Sequence, residues 1–178
     1  PDVWAEHSTW PQDPGWEKAV AGGVTTAQVL PGSANLVGGR SFTVHLVPGR
    51  GARSMRFPGA PEGVKMACGE NPKRIYGGKG QAPQTRMGNV RGQRALFAKA
   101  VAYRDKLAKE GDKVTRDLAL ETLVLVLEGK ALPHIHCYRA DDMVAFLQLA
   151  DEFGFRVRSF HHALEAYKIR DLLAEHEV

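Results

Sequence analysis

Three short stretches carry the side chains best suited to chemistry. Lys65 lies in the apolar run "GVKMACG" (63–69), His134 and His136 alternate in "LPHIHCYRADD" (132–142), and His161 and His162 are consecutive in "FRVRSFHH" (155–162). Neutral imidazoles are common ligands of divalent metals, and such sites are often completed by ligands from several strands. A lysine buried among apolar residues needs a partner, neutralisation or covalent modification, because an unpaired buried cation costs several kcal/mol. Each residue also has an ordinary role: a strand-end histidine is commonly just hydrogen-bonded, and a lysine can extend its amine to solvent. Only one face of a strand points at a shared centre, so one histidine of each pair is expected to serve it.

Other polar residues form an outer set. "GENPKR" (69–74) follows the Lys65 run and brings Glu70, Asn71 and Arg74 towards the same mouth. Tyr138 and Arg139 follow His136, and the guanidinium fork of Arg139 suits a substrate carboxylate. Asp141 and Asp142 are better read as the favourable acidic start of a helix. No nucleophile elbow, phosphate loop or CxxC pair is present.

The elements that would position these residues can be read in order. "DPGWEKAVAGG" carries a helix signature, with Asp13 to cap and Pro14 in the first turn. "GVTTAQVL" (23–30) and "RSFTVHLV" (40–47) read as strands, joined by the loop "PGSANLVGG". The run 63–69 reads as a buried strand. A long helix is expected over 88–110, stopped by Gly111, and a second one capped by Thr115 and ended by Gly129. Then come a strand through "PHIHC", a helix closed by Gly154, the strand 155–162 and a last helix through "ALEAYKIRDLLAEH". Alternating strands and helices predict an α/β protein with parallel strands, whose C-terminal strand ends converge on one face.

The chain of 178 residues has 43% hydrophobic and 25% charged residues, ordinary for a globular protein that buries a core. One domain over 1–178 is the expectation. No apolar run approaches the ~20 residues of a membrane-spanning helix, and no targeting segment is visible, so a cytoplasmic location is the default. The two cysteines, Cys68 and Cys137, sit in apolar segments and read as reduced thiols. The net charge is +4, and residues 73–94 contain no acidic residue. That stretch supports a rival reading, a non-catalytic α/β binding module holding an anionic partner through Arg86, Arg91 and Arg94. No nucleic-acid-binding motif accompanies the charge, so nucleic acid is not the favoured partner.

Taken together, "GGVTTAQVLPGSANLVGGR", "GVKMACGENPKR", "HIHCYRADD" and "FHHALEAYKI" resemble the metal-dependent amidohydrolase superfamily, in particular its imidazolonepropionase-related group. The resemblance covers nearly the whole chain in order. It implies a (β/α)8 barrel of TIM type with one or two divalent metals, usually zinc, at the C-terminal mouth. It implies that Lys65 is carboxylated and bridges metals, and that His136 and His162 are ligands, with His134 and His161 outside the set. A carbamate would also answer the buried-charge problem, because it converts a cation into an anion that metals neutralise. The implied function is hydrolysis of C–N bonds in a small amide, cyclic amide or peptide substrate by metal-activated water. Glu70, Asn71, Arg74, Tyr138 and Arg139 are the implied substrate contacts. Two parts of the family pattern, a first-strand HxH and a last-strand Asp, are absent, and a full barrel needs about 250 residues. The expectation is therefore an internal fragment covering approximately strands two to six, inactive alone, whose open strand edges leave room for association into homo-oligomers or for disorder.

Overall fold

A computed structural model describes residues 1–47 and 49–178. Its strands are β1 (Thr26–Val29), β2 (Val37–His45), β3 (Glu62–Ala67), β4 (Ala131–Cys137) and β5 (Ser159–His162). They form one sheet in sequence order. The pairs β3–β4 and β4–β5 are parallel, as the strand–helix alternation requires, but β1–β2 and β2–β3 are antiparallel. The correction to an all-parallel sheet has a simple cause. The connections on either side of β2 carry no crossover helix, and without one a strand must return antiparallel to its neighbour.

The helices are α1 (Pro14–Ala21), α2 (Glu70–Gly77), α3 (Arg86–Glu110), α4 (Leu118–Leu127), α5 (Ala140–Phe153) and α6 (Arg170–Glu175). Asp13 caps α1 by accepting from the Gly15 amide, and Gly154 ends α5 in the left-handed region at φ 72°. α4 starts later than expected: Asp117, not Thr115, accepts from the Ala119 and Leu120 amides. Glu70, Asn71 and Arg74, expected over the mouth, lie in the helix α2. At the other end, the last helix shortens to a 3-10 turn, Ala166–Ile169, followed by α6. Among the described residues no helix is long and apolar enough to cross a membrane.

The sheet curls. Strands β1 and β4 are separated by β2 and β3, a span of about 14 Å in a flat sheet. Yet Gln28 of β1 and His134 of β4 stand in hydrogen-bond contact at 3.1 Å. Gly63 of β3 makes this possible, since a Cβ there would collide with Ser41, His134 and Gln28. The concave face is thus polar and closely approached. The alternate residues Val64, Met66, Ile135 and Cys137 face the other way and join Phe97, Leu123, Met143 and Phe146 in the main core. A second, smaller core gathers Phe42, Val44, Leu46 and Met55 around β2.

Candidate functional site

Register decides which side chains share the concave face. Lys65 pairs with His134, Ala67 with His136, and His136 with His161. Paired residues point to the same side, as do residues two apart, so Lys65, His134, His136 and His161 belong to one face. Strand alternation does not by itself choose one histidine of either pair, for different reasons. His134 and His136 are two apart and differ in depth, not direction. His161 faces inward with His136, while His162 escapes strict alternation because its φ is 66° and that of Ala163 is 44°. The chain turns there, and the His162 ring comes to 4.7 Å from the His136 ring, centroid to centroid.

The two β4 histidines have opposite hydrogen-bond states. His134 is fully engaged: the Gln28 amide donates to Nε2, which leaves Nδ1–H to donate to Ser159 Oγ at 2.8 Å. His136 is 1% exposed, and among the described residues neither of its ring nitrogens has a hydrogen-bond partner. Its ring lies edge-on to those of Tyr138 and His162. Burial pushes the pKa of both down to about 4. Nearby cations act in the same direction, so both rings are neutral bases at pH 7. Of the two, only His136 has ring nitrogens left open for a further contact.

Lys65 is 6% exposed, and its amine donates to Pro31 O at 3.2 Å and Ser33 Oγ at 2.9 Å. Neither acceptor is charged, and burial lowers its pKa. The loop that supplies them, "PGSAN", was legible as a loop but not as the lysine's partner. His161 lies edge-on to His134 at 5.7 Å. Its pKa is also lowered, chiefly by burial and then by Lys65 and His162. Among the described residues no three His, Cys, Asp or Glu side chains converge as ligands. The residues the family resemblance names as ligands are His136, His162 and Lys65. His136 has open ring nitrogens with the His162 ring next to it, and the Lys65 amine is buried against neutral acceptors.

The outer residues divide. Tyr138 packs on both His136 and His162, at 4.6 and 5.3 Å between rings. Arg139 is exposed and its fork is occupied by Asp141. Glu70 bonds Arg86, which also binds Asp142. Burial raises the Asp142 pKa, against the lowering effect of Arg86. Arg74 and Glu70 line an open cavity of about 510 Å³ with Lys73, Gly77, Gly78 and Gln84. No histidine or Lys65 lines it, so this cavity and the mouth are separate features. Asn71 lies in the first turn of α2 and is not among its lining residues. Arg86 and Arg94 of the basic stretch are consumed in ion pairs, the latter with Glu152. The rival reading therefore loses two of its three named arginines.

Comparison with known proteins gives the same frame. No protein-family model matches the chain. It is 33% identical over 185 residues to "Amidohydrolase tasK" of Hapsidospora irregularis, covering 92% of this chain and 19% of that protein. The crystal structure of an amidohydrolase from Thermotoga maritima superposes with a TM-score of 0.92 at 41% identity. That match takes in 100% of this chain and 47% of the other. The chain thus spans about half, or less, of the relatives it matches, and the curled sheet corresponds to part of a TIM-type barrel.

Proposed function

The chain belongs to the amidohydrolase superfamily, and we propose that it is the strand-two-to-six part of a metal-dependent hydrolase of the imidazolonepropionase-related group. The observation that supports this most is the buried His136 ring, whose two nitrogens are unpartnered while the His162 ring stands 4.7 Å away. An imidazole is not desolvated on both nitrogens without cost, and a ligated ion removes that cost. His136 and His162 would hold a divalent ion, zinc being the expected one, and carboxylated Lys65 would supply the anionic ligand. When bound, the ion supplies Lewis acidity towards a carbonyl and towards water.

The chain's own residues set the conditions for that chemistry. Burial keeps His136 unprotonated and able to ligate well below pH 7. His134, fixed between Gln28 and Ser159, holds β4 against β1 and β5 beneath the ligands. Tyr138 covers the two ligand rings and borders the space a substrate would enter. The substrate class is an amide, cyclic amide or peptide C–N bond. Tyr138 and Arg139 on one side and Glu70, Asn71 and Arg74 on the other are the proposed contacts. Arg139 must first leave Asp141, and Glu70 must leave Arg86. No HxH pair precedes Thr26 in this chain, so we expect negligible amide hydrolysis from it alone.

Metal analysis of the purified chain tests the reading. Zinc is expected near one equivalent, lost in His136→Ala and in His162→Ala but kept in His134→Ala. A wild-type chain that retains no zinc after loading in bicarbonate would overturn it.

A further inference from the structure

Cys68 and Cys137, read from sequence as reduced thiols, are bonded to each other, with Cα atoms 5.3 Å apart. They occupy matching positions at the C-terminal ends of two adjacent parallel strands. Cys68 lies one residue beyond Ala67, which pairs with His136, and its amide donates to His136 O at 2.9 Å. Cys137 follows His136 directly. Both sulfurs belong to the core on the convex side, with Met66, Ile135 and Met143, so the bond lies behind the mouth and not within it.

The same strand ends are tied from outside by two polar residues of α3. Gln93 donates to Ala67 O at 2.9 Å, and Asn89 donates to Gly69 O at 2.8 Å. Gly69 has φ 69°, and a Cβ there would sit 3.1 Å from the Asp142 carboxylate. The β3 end is therefore held by α3, while its covalent link to β4 is the cysteine pair. That link closes a sequence separation of 69 residues containing α2, α3 and α4.

We propose that Cys68–Cys137 is a reversible redox latch: as a disulfide it locks the β3 and β4 ends that carry Lys65 and His136, and its reduction loosens the mouth. The reductant is a dithiol. One of its thiolates attacks the sulfur of Cys68, forming a mixed disulfide and expelling the Cys137 thiolate, which takes a proton. The second thiol of the reductant then displaces Cys68 as a thiolate, which is protonated in turn, and the reductant closes as its own disulfide. Two electrons and two protons pass to the cysteine pair. Cys68 is 5% and Cys137 0% exposed, so attack must wait for the strand ends to open. Reduction of the folded protein should be slow, and reduction of the unfolded chain fast.

Thiol counting by alkylation and mass spectrometry, with hydrogen exchange on the same samples, tests the latch. The oxidised chain, unfolded without reductant, should show no alkylated cysteine, and after dithiothreitol it should show both. Exchange in 66–70 and 135–139 should then rise by about tenfold or more, with the α3–α4 contact region little changed. Cys68→Ala/Cys137→Ala should copy the reduced chain; should it fail to fold, the reduced wild type still decides. Two free thiols after treatment with oxidised glutathione, or exchange that does not respond to reduction, would overturn the proposal. The readout involves no zinc, so its failure leaves the metal reading standing, and failure of the metal reading leaves the latch standing.

Discussion

Two buried polar clusters sit on the same sheet and are finished in opposite ways. Near β2, Glu6 is 7% exposed and its two carboxylate oxygens meet Arg53 and Arg56; Arg56 reaches on to Glu62, which also holds Arg40. Arg40 in turn stacks over Trp4 at 4.2 Å. Every buried charge in that chain of contacts has an opposite charge. At the C-terminal mouth, among the described residues, Lys65 has only neutral acceptors and His136 has no hydrogen-bond partner. The first cluster is what a fold does with buried charge when only stability matters. The second leaves its electrostatic demand open, as the proposed metal site would require.

Acid should separate the two regions most widely. His134 and His136 titrate at about 4 in the fold, against an ordinary value of 6.5. The unfolded chain therefore binds more protons through that interval. Their contribution is complete above pH 6.5, is lost as pH falls towards 4, and changes little below that. At about 1.4 kcal/mol per unit, the loss reaches about 3 kcal/mol for each ring at most. Glu6 acts in a lower window. Burial alone would raise its pKa, but the bonds from Arg56 and Arg53 hold it below 4.5, so its contribution is lost only as pH falls through that lowered value. Urea unfolding of the metal-free chain should show a first decline between about pH 6.5 and 4 that His134→Asn and His136→Asn each reduce. A flat profile down to about pH 4.5, with loss only below, would place the stability in the Glu6 cluster and not in the imidazoles.

At neutral pH the charge-paired cluster should be the fragile one. Glu6→Gln keeps the shape but leaves Arg53 without its anion and Arg56 with Glu62 alone, at a cost of about 2 kcal/mol in urea unfolding. Zinc content should not change. A loss below about 0.5 kcal/mol would mean that the arginines find water instead, and that the cluster is no more committed than a surface pair.

How far the sequence reveals this contrast depends on range. Apolar runs bounded by glycine located β3 and the ends of α3 and α5, because those signals are local. α2 was missed since Pro72 reads as a breaker, yet within the first turn of Glu70–Gly77 its absent N–H is one the helix would not have used. The ladder with β4 covers only the last four residues of the expected 155–162 strand, preceded by Arg158 N donating to Pro133 O, while Phe155 and Val157 turn into the helix-covered core. The family resemblance led to Lys65, His136 and His162. Nothing local tells His134 from His136, because the difference lies in Gln28 and Ser159, far along the chain and joined to it only by the curl. The same holds for Glu6 with Arg56 and for the two cysteines.

The smallest expected effect is also the one with the opposite sign. Lys65→Met removes a buried cation that no anion balances and keeps much of its volume, so the metal-free chain should gain about 1 kcal/mol. The gain is limited because Pro31 O and Ser33 Oγ lose their donor. Burial lowers the Lys65 pKa below 10.5, so the penalty it carries is constant at neutral pH and shrinks as pH rises towards 10.5. The gap between Lys65→Met and wild type should therefore narrow in alkaline buffer, a trend that simple repacking would not produce. If Lys65→Met is instead destabilised while Glu6→Gln is neutral, the two clusters exchange roles, and the mouth is a structural plug whose lysine is satisfied by its neutral acceptors.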